Sequence, residues 1–152
     1  MTKGGFALGP DEGLHIKAFG SRIEKIGVEE SGGWAFAIES NAPGFESPLH
    51  MHHTEDGAFF ILEGVLSMTL GDLQVEATPG TFVFMPKDVP HSFKVISPEA
   101  ARWINVQGPT GDWSKLTKRL DSMMKAGEVD MATRAGLSQE HGLEIIRRAP
   151  GS

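Results

Sequence analysis

Three histidines carry the strongest chemical signal in this 152-residue chain: His50 and His52, separated by Met51, and His91 further on. Side chains at i and i+2 of a β-strand project from one face. His50 and His52 can therefore reach a common ion, and a third imidazole has only to arrive across a sheet. Neutral imidazole nitrogens suit zinc, copper, iron or nickel, and three of them leave coordination positions open, as a catalytic centre requires and a closed structural site does not. Two ordinary strand histidines would show the same spacing, so the surrounding sequence must decide between the readings.

Five residues separate Gly44 from His50, and Gly64 closes the run Phe59-Phe60-Ile61-Leu62-Glu63. Five residues separate Gly80 from Pro86, and His91 follows after Lys87-Asp88-Val89-Pro90. This arrangement resembles the two motifs of the cupin family. The first is a glycine, five residues, His-x-His, three or four residues, Glu, six residues and a glycine; the second is a glycine, five residues, Pro-x-Gly, two residues, His, three residues and Asn. The resemblance covers about residues 40–107. It implies an all-β fold, a cupin jelly-roll β-barrel, with one divalent transition metal (Fe, Ni, Mn, Zn or Cu) on His50, His52 and His91.

The departures from the motifs fall where the chemistry would be. Gly57 stands at the glutamate position, Asp88 replaces the glycine of Pro-x-Gly, and Val95 replaces the closing Asn. Asp is acceptable in a turn. Loss of the glutamate removes both a ligand and, in cupin oxygenases, a proton acceptor. A glycine at 57 is expected to leave space at the ion for water or a bidentate substrate. Glu55 and Asp56 are the nearest carboxylates, but strand parity turns Asp56 to the face opposite Gly57, and Glu55 lies in the connection after His52.

Length and composition bound the setting. At 152 residues the chain makes one domain with room for a real core, with the motif core at about 40–107 and a tail at about 110–147. No second copy of the motifs is present, which excludes a two-barrel protein. A formal charge of −6, spread along the chain, argues against a nucleic-acid footprint. Met1 through Pro10 lacks the features of a signal peptide, and no apolar run approaches a membrane span, so a cytoplasmic protein is expected. The absence of cysteine excludes disulfides and thiolate ligands, and the absence of tyrosine excludes a phenolic acid or base.

Strand character recurs over Leu14–Phe19, Arg22–Val28, Trp34–Glu39, Val65–Leu70, Leu73–Ala77, Thr81–Met85, His91–Ile96 and Ala101–Val106, with turn signals between. That rhythm is the rhythm of a sandwich or barrel. After Gly108-Pro109 the pattern changes. Asp112 can cap a helix in which Trp113, Leu116, Leu120 and Met123-Met124 recur at helical spacing, with Gly127 ending it. A second segment, Val129–Ala135, stops at Gly136, and a third short piece ends near Ile145-Ile146. This tail reads as a helical cover or a dimer contact. The order of strand block, Trp-containing helix and final Gly-Leu-Glu-Ile-Ile segment is similar to quercetinase-like single-domain bacterial cupins.

Phe59 and Ile61 share parity with position 57 and should face inward. With Trp34, Met68, Phe84 and Phe93 they are the expected walls of a substrate pocket, although such residues also build ordinary core. An apolar pocket with three histidines favours a planar or aromatic ligand over a phosphate or a sugar. His53 points away from the pair, and His15 and His141 read as surface groups. No Gly-x-Ser-x-Gly elbow supports a hydrolase. Phe60 and Leu62, on the face opposite the cavity, would be exposed in a monomer, so a homodimer is expected. The leading expectation is a quercetinase-like dioxygenase acting on a small, mostly apolar, oxygen-bearing substrate. The alternative is a non-catalytic cupin that binds or senses a small ligand.

Overall fold

The computed structural model of the chain describes residues 5–13, 15–18, 21–27, 33–127 and 130–147. Eleven strands and two helices follow one another in these residues: β1 Ile16–Ala18, β2 Ser21–Gly27, β3 Ala35–Asn41, β4 Leu49–His52, β5 Asp56–Glu63, β6 Leu66–Leu70, β7 Leu73–Ala77, β8 Phe82–Met85, β9 His91–Val95, β10 Ala101–Gly108, α1 Asp112–Lys125, α2 Met131–Glu140 and β11 Leu143–Arg147. They form a six-stranded sheet, ordered β1-β2-β3-β10-β5-β8, and a five-stranded sheet, ordered β11-β4-β9-β6-β7. Every pairing is antiparallel. The fold is a jelly roll with a short C-terminal helical segment, as the motif resemblance implies; the strand rhythm by itself indicates a sandwich or barrel. Leu14, Phe19 and Val28, which the sequence assigns to strand ends, lie outside the described residues.

Period-two alternation separates core from surface. On β5, Phe59 and Ile61 are buried while Phe60 is exposed, and on β10 Ala101, Trp103, Asn105 and Gln107 face inward. Phe59, Phe93 and Trp103 meet with ring centroids 5.1–5.7 Å apart and form the aromatic centre of the core. Gly44, Gly64 and Gly80 all adopt positive φ, at 82°, 73° and 89°. The left-handed conformation explains why these turns carry glycine. Asp88 adopts it too, at φ 63°, and its amide donates to the His52 carbonyl at 2.8 Å. Aspartate tolerates that region better than most residues, so the replacement of glycine at 88 preserves the turn before His91.

The tail differs from its sequence reading in three ways. Asp112 is the first residue of α1, not its cap: the cap position is Gly111, which has no side chain to offer. Second, α2 runs through Gly136 to Glu140, with Asp130 capping it by accepting from the Thr133 amide at 2.7 Å. Third, the last piece is a strand, β11, which pairs with β4 and sets Leu143 opposite His52 and Ile145 opposite His50. A short apolar run cannot distinguish strand from helix by periodicity alone, and the available edge of β4 decided the outcome.

Candidate metal centre

His50 and His52 sit on β4, one residue apart and on one face, and His91 opens β9 directly opposite His50 in the antiparallel pairing. Their ring centroids lie 4.4 Å (50 to 91), 5.4 Å (50 to 52) and 5.6 Å (52 to 91) apart. One ring nitrogen of each lies within 4.8 Å of those of the other two, so the three could hold a metal ion.

The donor set fits such an ion. His50 Nδ1 is 2.8 Å from the Pro48 carbonyl and His91 Nδ1 is 3.0 Å from the Val89 carbonyl. A carbonyl only accepts, so in each ring Nδ1 carries the proton and Nε2 keeps its lone pair for a ligand. Burial also keeps the rings neutral. Desolvation, reinforced by the neighbouring His91, pushes His50 from 6.5 down to about 3 against the opposing pull of the Pro48 carbonyl. Burial and the other histidines hold His52 well below its ordinary value, and burial lowers His91. Neutral rings are the form that ligates.

These rings open on a small pocket between the two sheets, with a cavity volume of about 60 Å³, partly open to solvent. Of the expected wall residues, Phe59 and Phe93 line it. The other four do not. Ile61 and Met68 are buried in the core beneath, and Phe84 and Trp34 lie on the outside of the six-stranded sheet, 52% and 40% exposed. For Phe84 the cause is parity: on β8 the inward positions are Val83 and Met85. Trp34 precedes β3 and lies over the backbone of Gly108, where an added Cβ would come within 2.4 Å of its ring.

Walls that the sequence did not indicate come from distant elements: Phe45, Trp113 and Thr117 of α1, and Leu143 and Ile145 of β11. The tail is therefore part of the site as well as its cover. The six-stranded sheet adds a polar row, Glu39, Asn105 and Gln107, all buried. Asn105 Nδ2 donates to Glu39 Oε1 at 2.6 Å, and Gln107 Nε2 donates to Asn105 Oδ1 at 3.2 Å. Burial raises Glu39 from 4.5 to about 7, against the opposing hydrogen bond from Asn105. Alternation on β3 and β10 placed these residues inward, and polar side chains at buried parity were the only signal for them.

The carboxylates near Gly57 serve the scaffold. Glu55 is buried and accepts from Thr110 Oγ1 at 2.9 Å and from the amides of Asp112 and Trp113 at 2.9 and 3.0 Å, at the start of α1. Asp56 accepts from the Lys87 amide at 2.9 Å. Nor is there open space beside Gly57. A Cβ there would stand 2.8 Å from Gln107 Nε2 and 3.1 Å from Gln107 Oε1, so the Gln107 carboxamide fills what the sequence reading left to water or substrate. His53 is exposed and bridges Asp88 at 2.7 Å and Glu144 at 2.8 Å, and His141 Nε2 lies 3.1 Å from Arg119 Nη1. His15 is exposed and lies away from the pocket.

Residues 37–107 match the family model described as a cupin domain. Solved structures of the same architecture include the TT1209 protein of Thermus thermophilus, 26% identical, with a TM-score of 0.51 over 57% of this chain and 83% of that one. The Schizosaccharomyces pombe Cnp3 cupin domain is 18% identical, with a TM-score of 0.56 over 78% of this chain and 79% of that one. A predicted oxalate decarboxylase from Thermotoga maritima is 20% identical, with a TM-score of 0.54 over 57% of this chain and 78% of that one. No curated protein matches the chain. The matched stretch is somewhat less than half of the chain and the neighbours share its fold; a three-histidine cluster that could bind a metal lies within it. Among the described residues no helix is long and apolar enough to cross a membrane.

Proposed function

We propose that His50, His52 and His91 hold one divalent transition ion and that the pocket over them carries out a dioxygenation resembling that of quercetinase-like cupins. The observation that carries this reading is the convergence of three neutral imidazoles, two with Nε2 freed by a backbone carbonyl at Nδ1, on a pocket walled by Phe45, Phe59, Phe93 and Trp113. An ion there supplies a Lewis-acidic centre with positions open to oxygen donors. The aromatic walls select a flat, apolar ligand and exclude water from it. Glu39, raised to about 7, is an ionisable pocket carboxyl suited to take a proton from an acidic hydroxyl or enol. The test is oxygen uptake by the metal-loaded protein with a panel of flavonols and 1,3-diketones. Uptake that matches loss of one of these substrates supports the reading. Tight binding of a panel member without uptake favours the second reading, a non-catalytic small-ligand cupin, for which the motif glutamate's replacement by Gly57 is the specific observation.

The same proposal includes a homodimer. The outer face of the six-stranded sheet aligns Ile38, Ile104, Phe60 and Phe82 in one row across β3, β10, β5 and β8, and Phe36, Val106, Ala58 and Phe84 in the next. Phe82, Phe84, Phe36 and Phe60 are 64%, 52%, 52% and 42% exposed. Four half-exposed phenylalanines leave on the order of 400 Å² of apolar surface, in the range that marks an interaction site on a monomer. A second copy, related by a two-fold axis, covers both patches at once and leaves none over. Light scattering should give twice the 16.4 kDa chain mass at micromolar concentration, and Phe82→Glu should shift it toward the single chain. A single-chain mass for the unaltered protein would reject the dimer.

A further inference from the structure

Among the described residues four side-chain polar atoms are buried without a hydrogen-bond partner: Trp103 Nε1, Ser114 Oγ, His141 Nδ1 and Gln107 Oε1. Of the four residues, only Gln107 lines the histidine pocket, and it is 3% exposed. An unpaired buried carbonyl oxygen is costly, so a native structure that keeps one usually keeps it for a partner.

The polar row explains why the oxygen is the atom left over. Asn105 turns its Nδ2 toward Glu39 Oε1, which accepts at 2.6 Å. Asn105 Oδ1 is then available only as an acceptor, and it takes Gln107 Nε2 at 3.2 Å. With its amide nitrogen so engaged, Gln107 presents Oε1 as a free lone-pair donor. These amide orientations follow from the donors and acceptors in the row. Gly57, paired with Gln107 across β5 and β10, completes the arrangement, because a Cβ at 57 would come within 2.8–3.1 Å of the carboxamide.

We propose that Gln107 Oε1 is the fourth protein ligand of the ion held by His50, His52 and His91, which gives a site of three nitrogens and one oxygen with no charged donor. The assignment rests on the three-histidine reading. Carboxamide oxygens are hard, neutral donors, weaker than carboxylates toward a divalent ion, and a borderline ion accepts one alongside imidazoles. Glu39 and Asn105 are positioning residues for it, since they fix which end of the carboxamide is free.

Cobalt(II) titration tests the assignment, because its visible bands follow the donor set and its affinity can be read by competition with a chelating dye. The unaltered protein should bind one cobalt per chain. Gln107→Leu, close in size, should bind cobalt at least tenfold more weakly with shifted bands. Gln107→Glu, which supplies an anionic oxygen at the same place, should bind it at least tenfold more tightly, also with shifted bands. Should Gln107→Leu fail to fold, the Glu variant decides alone: tighter binding with altered bands supports the assignment, and unchanged affinity and bands overturn it. If the unaltered protein binds cobalt and His52→Ala does not, while the Gln107 variants match the unaltered protein, the role of Gln107 is wrong and the histidine centre stands. If the unaltered protein binds no cobalt, both are overturned.

Discussion

Glu55→Ala will destabilise the protein by about 3–5 kcal/mol and loosen helix α1 from the barrel. The carboxylate is 1% exposed and accepts from Thr110 Oγ1 and from the Asp112 and Trp113 amides. The first turn of a helix has no internal acceptors for its amides, and Gly111 at the cap position supplies no side chain. Glu55 supplies the acceptor from across the chain, and its negative charge also lies at the favourable end of the helix dipole. Alanine would leave the Trp113 amide unpaired in a buried setting and the Asp112 amide with only Thr110 Oγ1, at 3.2 Å, while the exposed Thr110 hydroxyl can turn to water. Each hydrogen bond lost to a charged partner is worth roughly 1.5–3 kcal/mol. At about 2–4 °C per kcal/mol for a chain of this size, Tm should fall by roughly 10 °C. Glu55→Gln, which retains one acceptor oxygen, should lose less than half of that. Because α1 brings Trp113 and Thr117 to the pocket, ligand binding should weaken in parallel. A Glu55→Ala protein that melts within about 2 °C of the unaltered one would show that the helix is held by its apolar face alone.

Acid will destabilise the metal-free protein below pH 6.5 through the site histidines. His50 titrates near 3 when folded and near 6.5 when unfolded, so between these values only the unfolded chain holds the extra proton. Stability then rises with pH inside that window, falls on acidification through it, and is unaffected by this group above it. His50 alone amounts to on the order of 3–5 kcal/mol at the bottom of the window. His52 and His91 act in the same direction. Glu39 opposes them: raised from 4.5 to about 7, it favours the folded state as pH falls between those values. The Glu39 contribution stops growing below 4.5, where that of His50 continues, and His52 and His91 add to His50 in the same direction. The urea midpoint of chelator-treated protein should therefore be clearly lower near pH 4 than near pH 8, with a smaller drop in His50→Gln. Equal midpoints would mean that the rings are hydrated and titrate normally. Solvent-exposed histidines would release an ion near pH 6.5; burial moves that release to lower pH.

Motif spacing made the barrel legible because each of its signals is local. Glycine at 44, 64 and 80 answers a positive φ that few other residues accept, and His-x-His on a strand fixes two side chains on one face whatever surrounds them. Parity on β5 likewise placed Phe59 and Ile61 inward correctly. The pocket was harder to read because its walls are set by tertiary pairing. Nothing local distinguishes inward Phe93 from outward Phe84; only the pairing of β8 with β5 does so. Leu143 and Ile145 reach the site because β4 had a free edge for β11 to occupy. Gln107 and Gly57 are fifty positions apart in sequence, and only their register opposite each other on β10 and β5 reveals that one fills the space the other leaves.

The metal content of the purified protein and of three single variants tests the centre most directly. After loading with a divalent transition ion and removal of excess, elemental analysis should find one ion per chain in the unaltered protein. In His50→Ala, His52→Ala and His91→Ala occupancy should fall tenfold or more, because each variant removes one of three convergent nitrogens. Undiminished metal in His91→Ala would contradict the account, since an ion held without β9 cannot be the one between the three histidines.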